Sequence, residues 1–285
     1  MLVAVVIVGS LIAAPGANAR GPRSVLVAPP IAESSQLRGV NITANWFALP
    51  YGTVDRELRL ALALGARIIR LPMPWALVQP TGPSDDPGFL AASRHLLGAA
   101  RREHLRVVVE IGGTSCWDTS VPDPGHETDP CYSGWLSGSE GLYVPRDLSQ
   151  FAGYAADLAR RFGSEIYAEE IWNEPNNPAF MRATPAQYVS VLGAAYRAVR
   201  RTDHNMIIVA GNLALSDAQW LDAAYAAGLG GHFDAISVHP YDVRFTGPDE
   251  GFGDPAKIWT GAGRQGSFRS GPPSVRAVMR RHDDS

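Results

Sequence analysis

The chain has 285 residues, 46% hydrophobic and 19% charged, which supplies a sizeable core and suits one large α/β barrel of typically about 250 residues. A net charge of −3 provides no basic face for nucleic acid, and no apolar run reaches the roughly 20 residues of a membrane-spanning helix. What remains is a globular enzyme or binding module.

In chain order, Leu2 to Ala14 is an apolar run broken only by Gly9 and Ser10, and Ala17-Asn18-Ala19 then offers a small-x-small cleavage pattern. Residues 1–19 read as a secretory signal peptide, although no basic residue opens it. The expected location is extracellular, with no membrane contact after cleavage. Residues 20–36 carry Pro22, Pro29, Pro30 and Ser34-Ser35 and read as a leader, so that one domain is expected over residues 37–285.

Within that domain, short β-rich runs alternate with longer segments of helical period, the pattern of βαβ units on a parallel sheet. Strands are expected at Arg38–Ala44, Arg67–Pro72, Arg106–Ile111, Ile166–Trp172, Met206–Ala210 and Phe233–Val238. Most are nearly continuous apolar runs, as strands covered on both faces should be. Helices are expected at Val54–Leu64, Phe89–His104, after Asp147, after Thr184, at Asp217–Ala227 and at Pro273–Arg280. After Thr184, residues Tyr188, Val191, Leu192, Ala195, Tyr196 and Val199 form one apolar stripe. Thr184-Pro185-Ala186-Gln187 is a capping box with proline at the first helical position.

The first strand-to-helix turn, Asn45 to Gly52, holds no G-x-G-x-x-G, which speaks against a dinucleotide. The strand ends instead carry aromatic, amide and carboxylate groups, as the C-terminal face of a barrel does. The two cysteines, Cys116 and Cys131, share one Gly/Pro/Ser/Asp-rich loop. In an oxidising compartment they would close it, adding about 3 kcal/mol on the chain-entropy model, and the alternative is two unpaired thiols. Metal-type cysteine and histidine spacings are absent, and neither a metal nor a cofactor is expected.

The strongest chemical signal is Ile171-Trp172-Asn173-Glu174-Pro175-Asn176 at the end of the fourth expected strand. A Glu there faces the mouth of a barrel, where a general acid must sit to protonate a leaving oxygen. Asn173 beside it suits a sugar hydroxyl, including the 2-hydroxyl whose contact strengthens in the transition state.

From about Gly39 to Tyr241 the chain resembles the clan A glycoside hydrolases, in particular the family 5 and family 39 group called cellulase-like. The matching pieces are Gly39-Val40-Asn41, Gly65 to Pro72 with Trp75 and Gln79-Pro80, Ile171 to Asn176, and Ser237-Val238-His239-Pro240-Tyr241. The resemblance implies a TIM (β/α)8-type barrel and retaining hydrolysis of β-glycosidic bonds in oligo- or polysaccharide. It makes Glu174 the acid/base and Asn173 a sugar-binding neighbour. It implies that Arg70 orients the nucleophilic carboxylate, a salt bridge to Glu110 or Glu170 being the other reading. His239 and Tyr241 are implied to contact substrate or nucleophile. Trp46, Trp75, Trp117, Trp135 and Trp259 fall in loops expected on the catalytic face and are candidate sugar platforms, whereas Trp172 reads as core. Asn41-Ile42-Thr43 matches a glycosylation acceptor but reads as part of the first strand.

The resemblance also places the nucleophile, a Glu, at the end of a seventh strand. Six βα units are counted here, so the barrel is expected to be incomplete, lacking its last two units and its nucleophile. Asp242, Glu250 and Glu110 do not occupy the matching position. Three accounts stand side by side: a segment of a longer, monomeric enzyme that is inactive alone, a six-unit glycan-binding pseudoenzyme, or a barrel completed by another chain.

Overall fold

The computed structural model describes residues 12–13, 37–42, 45–121, 125–126, 128, 131, 140–239 and 274–284. The expected signal peptide and leader lie outside them apart from Ile12–Ala13, as do Tyr241, Trp135 and Trp259.

Seven strands form one sheet: β1 (Ile12–Ala13), β2 (Gly39–Asn41), β3 (Ile68–Pro72), β4 (Arg106–Ile111), β5 (Ala168–Asn173), β6 (Ile207–Ala214) and β7 (Ala235–His239). Their order is β1-β7-β6-β5-β4-β3-β2. Strands β2 to β7 are parallel, and β1 pairs antiparallel on the β7 edge. Between them run the helices α1 (Tyr51–Ala63), α2 (Trp75–Val78), α3 (Pro87–Arg102), α4 (Leu148–Phe162), α5 (Pro185–Thr202), α6 (Ala218–Ala226) and α7 (Val275–Arg281).

The alternation of side chains across each strand divides the molecule into two cores. Ile69, Leu71, Val107, Val109, Ile111, Ile171, Ile208, Ile236 and Val238 face outward into the large cluster shared with the helices. The opposite face contributes a small inner cluster, Ile68, Val108, Ala168, Val209 and Ala235, one residue from each of β3 to β7. Residues from all six parallel strands line one cavity of about 80 Å³. The sheet therefore curls into an incomplete TIM barrel with helices outside.

The helices begin where sequence chemistry places them. Asp86 Oδ1 accepts from the Phe89 amide at 2.7 Å at the start of α3, and Asp147 Oδ1 accepts from Ser149 at 2.8 Å at the start of α4. The capping box of α5 is complete. Thr184 Oγ1 accepts from the Gln187 amide at 3.2 Å, and Gln187 Oε1 accepts from the Thr184 amide at 2.8 Å. The α5 stripe buries Tyr188, Val191, Leu192, Ala195 and Val199. The short α2 has no counterpart among the expected elements, because four residues are too few to show a period.

Candidate active site

The site is built on a break in β5. Trp172 has φ 73° and Glu174 φ 45°, a left-handed conformation that bulky residues rarely adopt. The ladder to β6 pairs Ile171 with Ala210 and then Asn173 with Asn212, passing over Trp172. Gly211 makes this approach possible. A Cβ there would lie 2.7 Å from the Ile171 carbonyl oxygen and 2.9 Å from that of Trp172. The neighbouring Asn212, fully buried, accepts the Glu174 amide on Oδ1 at 2.6 Å. The acid is thus fixed through its backbone before its side chain makes any contact.

Glu174 is 5% exposed and both of its carboxyl oxygens are held. His239 Nδ1, at the end of β7, lies 2.6 Å from Oε1. Asn177 Nδ2 donates to Oε2 at 2.8 Å, and the Asn177 amide donates to the Glu174 carbonyl at 2.8 Å, closing the turn that presents the acid. Asn176 ties the same turn to β6: its side chain donates to the Ala214 carbonyl at 3.0 Å and accepts from the Ala214 amide at 2.8 Å.

One layer deeper lies a charged cluster. Arg70 Nε donates to Glu170 Oε2, Arg70 Nη2 donates to Asn173 Oδ1 at 3.0 Å, and Nη2 is 3.9 Å from Glu110 Oε2. Glu110 and Glu170 are direct partners in the β4–β5 register. Burial pushes the Glu110 carboxyl up to about 7, against the pull of Arg70 and with the Glu170 charge adding to the rise. Both acids that sequence reasoning offered as partners for Arg70 therefore lie around it, Glu170 in direct contact.

The structure brings Glu174, Asn173, Arg70 and His239 into one connected set. It places the tryptophans elsewhere. Trp46 is 1% exposed and donates Nε1 to the Pro72 carbonyl at 2.8 Å. Trp75 is wholly buried and donates to Gln79 Oε1 at 2.7 Å. Stacking on a sugar needs an open ring face, so the expectation of platforms at Trp46 and Trp75 is corrected: both pack the core. Trp117 is half-buried, edge-on to Trp75 at 5.2 Å between ring centroids, with Nε1 donating to the Gln79 carbonyl at 2.9 Å. Trp172 is core, as expected, at 1% exposed. Cys116 and Cys131 are joined by a disulfide that closes the loop after β4.

Sequence reasoning missed Asn177 and Asn212. The signal for Asn212 was present in Ala210-Gly211-Asn212, an amide at the end of an apolar run, but Gly-Asn reads equally well as a turn. Among the described residues no group of three or more His, Cys, Asp or Glu side chains is arranged to hold a metal ion.

No family model matches the chain, and no curated protein matches it. Solved structures do. A family 39 glycoside hydrolase from the gut symbiont Bacteroides cellulosilyticus WH2 aligns at 18% identity and TM-score 0.55, over 83% of this chain and 42% of that one. A family 39 enzyme from Xanthomonas axonopodis pv. citri aligns at 16% identity and TM-score 0.50, over 70% of this chain and 39% of that one. The chain has the fold of the clan A glycoside hydrolase barrels. It spans about two fifths of the length of those two proteins. Likeness at this identity establishes the fold alone, and any chemistry of the barrel has to be argued from the geometry around Glu174.

Proposed function

We propose that the chain carries the acid/base half of a retaining β-glycosidase acting on oligo- or polysaccharide. The observation that carries this reading is Glu174 itself: a nearly buried carboxyl at the C-terminal end of β5, its amide pinned by Asn212 and its two oxygens bound by His239 and Asn177. A general acid has to hold one orientation while it hands a proton to a leaving oxygen, and these three contacts provide that.

In this reading Glu174 protonates the glycosidic oxygen in the first step. As a carboxylate in the second step, it takes the proton of the attacking water. The His239 Nδ1–Glu174 Oε1 contact keeps the carboxyl aimed. Asn173, next to the acid, binds a sugar hydroxyl. The nucleophile of this reading is a Glu on a further barrel strand beyond the six parallel ones described, and no described carboxylate is assigned to the role. The disulfide fits an oxidising, extracellular setting, and no helix among the described residues is long and apolar enough to cross a membrane.

The test is sugar release from a panel of β-linked oligosaccharides by the native full-length polypeptide. Release is expected, with a loss of roughly 10²–10⁴-fold in Glu174→Gln. Saturable glycan binding without release from any member would instead establish a pseudoenzyme and overturn the reading.

A further inference from the structure

The amide of Asn173 is turned in one direction by its partner. Arg70 carries donors only, so the atom that meets its Nη2 at 3.0 Å is the Asn173 oxygen. The Asn173 NH2 group is left to donate elsewhere, from a half-buried position immediately before Glu174. Arg70 can impose this orientation only if its own guanidinium is held. Glu170, 2% exposed, binds its Nε from the inner face of the same strand that carries Asn173. The competing acid, Glu110, stands 3.9 Å from the very nitrogen that reaches Asn173. Without Glu170, the guanidinium would turn toward Glu110 on β4, and the Asn173 amide would lose its fixed sense.

We propose that Glu170 is a positioning residue of the glycosidase site. It holds Arg70 so that Asn173 presents its NH2 group, and the feature of the substrate read by this relay is a hydroxyl oxygen that accepts a hydrogen bond, the one on the carbon next to the reacting centre. This inference rests on the glycosidase reading above. It assigns Glu170 a role through Arg70 and Asn173, with no substrate contact of its own.

The experiment compares kcat/KM on the 4-nitrophenyl β-glycoside that the wild-type full-length polypeptide cleaves fastest with kcat/KM on its 2-deoxy counterpart. Glu170→Ala should lower the value for the parent substrate by about 30-fold, as expected for a lost and unreplaced donor. The 2-deoxy substrate has no hydroxyl to receive that donor, so its value should stay within about threefold. Glu170→Gln keeps an acceptor for Arg70 and should restore the discrimination, which also guards against an Ala variant that folds poorly. Equal losses on both substrates, or no loss on either, overturn this inference while leaving the glycosidase reading intact. A Gln variant as impaired as Ala overturns it too. A wild-type protein that cleaves no glycoside overturns both.

Discussion

Glu169 and Glu170 are neighbours on β5 and almost equally buried, at 0% and 2% exposed, yet they occupy opposite faces of the sheet and opposite chemical situations. Glu170 faces the barrel interior and is ion-paired to Arg70. Glu169 faces the helices, and among the described residues neither of its oxygens has a hydrogen-bond partner. Burial first, and the Asp203 charge second, push its carboxyl well above the usual range. The contrast shows how this barrel divides labour. The inner face gathers its buried charge into one hydrogen-bonded cluster, from Glu170 through Arg70 to Asn173. The outer face is for packing, and an acid there costs stability without organising anything.

Glu110 sharpens the comparison, because it lies on the inner face but 3.9 Å from Arg70, outside direct contact. Its folded value of about 7 exceeds the ordinary 4.5, so the folded state binds the extra proton across that window. Stability from this group is therefore full below pH 4.5 and is lost as pH rises toward 7, by about 3 kcal/mol at 1.36 kcal/mol per unit. Denaturant titrations at several pH values should show this decline in the wild type and its removal in Glu110→Gln. A decline of the same size in both would assign it to other groups.

The next effect breaks the comparison from the outer side. Replacing Glu169 by Met, similar in length and apolar, should raise unfolding stability at pH 8 by about 2 kcal/mol, because an unsatisfied polar group leaves the packed layer. A loss of stability would mean that Glu169 is satisfied by ordered water. The smallest effect is expected farther out, at the α5 cap: Thr184→Ala should cost about 1 kcal/mol by the same titration. A change within error would show that Gln187 alone suffices there.

The same two-sidedness governs what could be read from the sequence. Strand β4 was legible to the residue, because Val107-Val108-Val109 is an unbroken apolar run covered on both faces. The α5 cap was legible because a capping box is a local motif. Strand β6, expected to stop at Ala210, runs to Ala214. Gly211 and Asn212 look like a turn in one dimension, but they belong to the sheet because β5 bends close against them. That bend is a tertiary feature with no local signature. The tryptophans fail for a related reason: Trp46 and Trp75 have the right residue type, and only packing decides that their rings are covered. The partners of Arg70 were legible, because Glu110 and Glu170 are the acids expected for a salt bridge inside the barrel and both lie around it. Asn177 was not, since its contact depends on the turn that Glu174 opens.

The proposed role of Glu174 as proton donor is read most directly from the leaving-group dependence of kcat/KM, which reports the first chemical step. Glu174→Gln in the full-length polypeptide should lose roughly 10²–10⁴-fold on a β-linked disaccharide, whose leaving oxygen needs a proton. On the matching 2,4-dinitrophenyl glycoside, whose leaving group departs unaided, the loss should stay under about tenfold. Equal losses on the two substrates would contradict it.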